Sequence, residues 1–129
     1  MRTKAREVVF QIVFASRFDG ADNGLKQALY KKEKLTADDI QYAEKVIAAI
    51  KENGEELSEI IDKRSVAFPE SRLFPSDKSI LLVALAEIKY LPDIPQAVSV
   101  NEAANIASKY SSPKSASFVS GILSEVKKD

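Results

Sequence analysis

Cysteine and histidine are both absent from the 129 residues. Without thiols the chain can form neither a disulfide framework nor a thiolate metal site. Without imidazoles most metal-ligand sets disappear too, together with the usual general base and every Ser-His or Cys-His nucleophile pair. No metal and no cofactor is expected, and the chain does not read as an enzyme: acids such as Glu55 and Glu56 are exposed neighbours with no convergent nucleophile or phosphate loop beside them. Glycine and proline are scarce, with 4 and 5 residues, which argues against a disordered or turn-rich chain. Strand alternation, internal repeats and low-complexity tracts are missing as well. No apolar run approaches the about 20 residues of a membrane span. Arg2, Lys4, Arg6 and Glu7 interrupt the earliest apolar stretch, so neither a signal sequence nor a membrane segment is expected, and the expected location is cytoplasmic.

What is present is helical periodicity in a chain long enough for one domain, residues 1–129, that buries about two thirds of its unfolded surface. Ala5, Val8, Val9, Ile12 and Val13 share one stripe, and Phe10, Phe14 and Phe18 a second, which predicts a helix from about Thr3 to Phe18, stopped at Asp19-Gly20. A short helix follows around Asp22 to Lys32. From the plausible N-cap Thr36, apolar or small residues recur at Ile40, Ala43, Ile47, Ile50, Gly54, Leu57 and Ile61 in steps of three and four. The third helix should therefore continue through Gly54 to about Asp62, with another helix packed closely on the glycine. After a connection rich in aromatics and prolines, Ser76 and Asp77 are expected to cap a helix that is apolar almost all round from Ile80 to Ala86 and ends before Pro92. Such a helix belongs at the centre of a bundle. Ser99 and Glu102 have capping-box spacing for a helix toward Tyr110, and Pro113 suits the first turn of a last helix toward Lys127. The fold class is all-α, with six to seven helices.

Charge is balanced overall but unevenly placed. Residues 1–34 carry eight Lys/Arg against four Asp/Glu, residues 35–62 two against eight, and residues 63–129 nine against seven. The front is basic and the middle acidic. The acidic residues from Glu44 to Glu59 lie mostly off the apolar stripe, as a solvated face or an acidic docking surface.

One series of motifs is more specific. Ile94-Pro95-Gln96-Ala97-Val98, Asn101-Glu102-Ala103, Lys109-Tyr110-Ser111 and Ser115-Ala116-Ser117-Phe118-Val119-Ser120-Gly121-Ile122-Leu123 occur in order. Together they resemble the C-terminal signature of the NusB family of bacterial transcription antitermination factors. The start, Arg2-Thr3-Lys4-Ala5-Arg6-Glu7, is similar to the family's arginine-rich opening. Asp77-Lys78-Ser79-Ile80-Leu81-Leu82-Val83-Ala84-Leu85-Ala86-Glu87-Ile88 is similar to its acidic-start helix. The resemblance covers nearly the whole chain and implies two small helical bundles sharing a core.

It also implies a function. Family members bind single-stranded boxA RNA in ribosomal RNA leaders together with NusE, a small-subunit ribosomal protein. The pair helps the RNA polymerase antitermination complex read through terminators and supports ribosomal RNA processing. Carried over by position, the RNA-binding candidates are Arg2, Lys4, Arg6, Lys114 and Ser117, and the partner-facing ones Asp77 and Lys114. Arginine and lysine suit phosphates, and an arginine plane also stacks on unpaired bases. Each has a plainer alternative: solvated terminal charges for Arg2 and Lys4, a carboxylate pair anchoring the first helix for Arg6, and a helix-start carboxylate for Asp77. Phe118, Val119, Ile122 and Leu123 read as core. Leu82, Ala86, Ser117, Ser120 and Thr3 depart from the family's usual arginine, aromatic, lysine, asparagine and arginine-rich positions, so the basic footprint is thinner. A helical interaction module, a homodimer or adaptor without RNA recognition, is the alternative function.

Overall fold

The computed structural model describes residues 2–19, 23–65 and 74–127. These form six α-helices and no strand: α1 (Arg2–Asp19), α2 (Asn23–Lys32), α3 (Ala37–Arg64), α4 (Pro75–Tyr90), α5 (Gln96–Tyr110) and α6 (Pro113–Ser124). The expected stop at Asp19-Gly20 and the connection through Phe68-Pro69 involve residues outside those described.

α4 is the shared centre. From Ser79 to Ile88 every residue is buried, and the helix packs against α1 and α3 on one side and α5 and α6 on the other. A helix apolar on every side has no face to give to water, so it must be surrounded. It begins one residue before the expected caps: Pro75 takes the first helical position, where its missing N–H costs nothing. Phe74 precedes it with no side-chain cap, and Asp77 falls in the first turn.

α3 opens as expected, with Thr36 Oγ1 accepting from the Asp39 N–H at 3.1 Å. It runs through Gly54, but for a different reason. Asn53 leaves helical geometry (φ −123°, ψ 22°) and its side-chain amide donates to the Ala49 carbonyl at 3.0 Å, holding the kink. Among the described residues no helix packs onto Gly54: a methyl group built there would meet nothing within 4 Å. The kink instead opens a groove of about 960 Å³ bordered by Glu52, Glu55, Glu59, Lys78 and Leu82.

α5 and α6 pack on each other and close the second side. Ser112 caps α6, its Oγ accepting from the Ser115 N–H at 3.0 Å, with Pro113 next in the first turn. The far end is tied down by Gln96, whose Nε2 donates to the Leu123 and Val126 carbonyls at 3.1 and 2.7 Å. Val119, Ile122 and Leu123 are buried as expected, and Phe118 packs half-buried against the core.

Candidate nucleic-acid interface

The polar centre of the molecule is an acid inside an apolar helix. Glu87 is 1 % exposed on α4, and an unpaired carboxylate there would be prohibitively costly. Arg6 of α1 supplies the charge, its Nε lying 2.8 Å from Oε2 and 3.1 Å from Oε1. Ser99 of α5 donates to Oε1 at 3.0 Å, and the Tyr42 hydroxyl of α3 donates to Oε2. Arg6 Nη1 also reaches Glu102 at 3.2 Å. Burial opposes the guanidinium charge, but the Glu87 hydrogen bond and the negative charges of Glu87 and Glu102 together outweigh it and hold Arg6 above its ordinary value. Burial and the Glu87 carboxylate both push the Tyr42 phenol up, so it remains a donor. Four helices thus meet on one carboxylate.

This geometry corrects two expectations. Ser99 and Glu102 do not form a capping box, because α5 starts at Gln96 after Pro95 and both side chains are turned to partners in other helices. Arg6 is 5 % exposed and fully engaged, so its alternative as an anchor of the first helix is the one realised. Its guanidinium is taken up inside the fold, which leaves little of it for an RNA contact.

A second network lies on the other face of α1, at the surface. Glu7 accepts from Lys109 Nζ at 2.6 Å and from the Tyr110 hydroxyl at 2.9 Å, and Lys4 Nζ lies 3.8 Å away. Burial raises the Glu7 carboxyl, but the hydrogen bonds from Lys109 and Tyr110 prevail and hold it below its usual range. Lys4 also pairs with Glu33 at 3.6 Å. The outcome is a cationic edge where α1 meets the end of α5. Directly after it come the α5–α6 turn and the exposed Lys114 and Ser117. Lys114 has no ion-pair partner among the described residues.

Asp77, expected toward a partner, is 4 % exposed. Its Oδ2 accepts from Ser115 Oγ at 3.1 Å, while Ser111 and Ser112 hydroxyls crowd the same serine at 2.8 and 3.3 Å. Oδ1 has no partner among the described residues. Desolvation therefore pushes the Asp77 carboxyl up, against the opposing serine hydrogen bonds. Its role in the fold is to fix the turn that carries Lys114, not to face outward.

The five RNA-binding candidates separate accordingly. Lys4 lies beside Glu7 where α1 meets α5, and Lys114 and Ser117 are exposed on α6 just past the α5–α6 turn. Arg2 points the other way: its guanidinium stacks 4.6 Å from the Tyr42 ring centre and pairs with Asp38 at 3.1 Å. There, with Gln41, Lys45, Tyr90 and Ile94, it borders a cleft of about 480 Å³. Among the described residues no three acids are placed to hold a metal ion, and no helix is long and apolar enough to cross a membrane. Tyr42, Glu87 and Glu7 were missed as network members in the sequence. Glu87 had a signal, a lone acid closing an apolar run, and Arg6 was open to a carboxylate pair, whereas the donors Tyr42 and Ser99 come from two further helices and had none.

Comparison with known proteins adds to this geometry. Residues 3–128 match the profile of the NusB family. The chain is 37% identical over 132 residues to the transcription antitermination protein NusB of Natranaerobius thermophilus, covering 97% of this chain and 93% of that protein. The structure of T. maritima NusB superposes with a TM-score of 0.87 at 30% identity, over 100% of this chain and 92% of that one. A crystal structure of the antitermination factors NusB and NusE in complex with dsRNA shares the fold, with a TM-score of 0.83 at 24% identity, over 95% of this chain and 92% of the matched one.

Proposed function

The chain belongs to the NusB family of transcription antitermination factors, and on that premise we propose that it binds single-stranded boxA-type RNA together with NusE. The pair joins the RNA polymerase antitermination complex on ribosomal RNA leaders and supports processing of the transcript. The observation that carries this reading is the cationic edge where Lys4 and Lys109 flank Glu7 beside the Tyr110 hydroxyl, followed along the chain by the exposed Lys114 and Ser117 of α6. Cations in such a row follow a phosphate backbone, while the affinity from so few is modest and salt-sensitive. A protein partner that adds contacts fits this need, and the related NusB and NusE structure with RNA supports the same composition. Lys114 faces RNA or NusE directly. Asp77 serves either contact at one remove, by holding Ser115. Arg2 contributes from the separate cleft over Tyr42.

Anisotropy titration of a labelled boxA-type RNA, with and without NusE, tests the proposal. Tight binding should require the partner and weaken as salt rises. Equal affinity with and without NusE would overturn it.

The engagement of Arg2 and Arg6 by carboxylates leaves fewer free cations than the sequence offers, which favours a second reading as a homodimeric helical module without RNA recognition. Light scattering showing a dimer that buries α1 would support that reading instead.

A further inference from the structure

We propose that Tyr110 is a stacking platform for one unpaired nucleobase, an inference that rests on the reading of this chain as an RNA-binding protein.

Among the described residues few large apolar or aromatic side chains are exposed, and Tyr110 is one of them, at 39 %. An aromatic of this size left in water at the end of a helix is not spent on the core. Nor is it loose. Its ring centre lies 5.0 Å from that of Phe10, tilted by 48°, which supports it from beneath. Its hydroxyl donates to Glu7 at 2.9 Å and accepts from Gln11 Nε2 at 3.3 Å. The ring is thus held at its body and at its tip before any ligand arrives, so a base landing on it need not pay to order it.

The surroundings match a nucleotide better than an isolated ring would. Lys109 Nζ lies 5.5 Å from the ring centre, and its side chain is 56 % exposed. A base has a π-face for the ring and a phosphate for the ammonium, so an incoming nucleotide displaces Lys109 from the ring toward its own backbone. Lys4 pairs with the same Glu7 that holds the Tyr110 hydroxyl, and the exposed Lys114 follows in the chain after the turn. Glu7 is the carboxylate nearest the ring and would repel a phosphate; it is largely buried and balanced by Lys109 and Lys4, while Glu33 pairs with Lys4. A ring set among cations in this way accepts any base, because stacking does not read hydrogen-bond edges.

The test uses the full chain with NusE and a single-stranded boxA-type RNA in which 2-aminopurine replaces each purine in turn. Stacking on Tyr110 should quench the probe at one position. Tyr110→Phe keeps the ring and should preserve both quenching and affinity. Tyr110→Leu keeps a bulky apolar group on Phe10 but removes the π-face. It should abolish the quenching and weaken binding about 10-fold or more, leaving the slope of log Kd against log salt unchanged. Lys114→Ala should instead reduce that slope, because it removes a phosphate contact. If Tyr110→Leu binds as tightly as the unaltered protein with quenching intact, the platform is refuted while the RNA-binding reading stands. Normal RNA affinity with lost NusE binding would equally refute it, and assign the ring to the protein surface. Failure of the unaltered protein to bind RNA under any condition would overturn both readings.

Discussion

Arg6 and Glu87, 81 residues apart in the chain, meet inside the molecule with the guanidinium Nε bonded to both carboxylate oxygens. Removing one member of a buried pair leaves the other charge stranded, at a cost of about 3 to 5 kcal/mol. Arg6→Met should therefore lower the unfolding free energy by about that amount in urea titrations. Arg6→Met combined with Glu87→Leu should cost much less than the two single changes together, because the stranded charge is then gone. Additive costs would show that the two side chains are not coupled. RNA affinity should fall in Arg6→Met mainly in proportion to the loosening of α1, since the guanidinium is bonded to Glu87 and Glu102 and only its margin borders the cleft beside Arg2.

Asp77 makes the opposite prediction about charge. Its folded carboxyl titrates above the ordinary range, so its contribution to stability is complete at pH below that of an unfolded aspartate and is lost as pH rises through the raised value. Asp77→Asn keeps an acceptor for Ser115 and discards the charge. At neutral pH this variant should melt at the same temperature as the parent or higher, and the difference should vanish in acid. A lower melting temperature at neutral pH would mean that the charge is paired after all.

Glu7 titrates in the other direction. Its carboxyl is held down by Lys109 and Tyr110, so its stabilising contribution is present above the usual carboxylate range and is lost as pH falls through the lowered value. Glu7→Gln should flatten the acid limb of the stability profile. Its effect at neutral pH should be small, because Lys109 is an exposed partner whose attraction is screened by solvent.

Gly54 sits in a helix over an open groove. Alanine there meets no obstacle and has the better helix propensity, which is worth about 0.5 to 1 kcal/mol. Gly54→Ala should raise the midpoint of thermal unfolding by roughly 2 to 5 °C. A fall would mean that the kink at Asn53 depends on the glycine.

Ser99 and Ser112 separate two uses of one residue type. Ser112→Ala removes a helix cap and should cost about 1 kcal/mol. Ser99→Ala takes a donor from a buried carboxylate and should cost about 1 to 3 kcal/mol, with no change in where α5 begins by chemical shift.

The contrast shows what periodicity conveys and what it omits. The steps from Ile40 to Ile61 and the unbroken run from Ile80 to Ala86 made α3 and α4 readable, because apolar spacing is a local property of the chain. The spacing of Ser99 and Glu102 was read as a cap because local rules permit it, yet both side chains found partners on α4 and α1. Gly54 was placed correctly in a helix and wrongly under a neighbour, since spacing gives the face but not what lies opposite. In the candidate interface, Lys114 and Ser117 lie on the surface as their position in the signature implied. Arg6 had a visible alternative that the structure chose. Tyr110 was read only as part of a signature, because its support comes from Phe10, Glu7 and Gln11, about a hundred residues away.

The enclosure of α4 also governs when its backbone can exchange with water. Its amide hydrogens lie under helices on both sides, so fraying of α2 or of the α5–α6 turn leaves them covered. Deuterium should enter Leu81 to Ile88 only when the whole assembly comes apart, and the slowest exchange rates in the protein then report its global unfolding free energy directly.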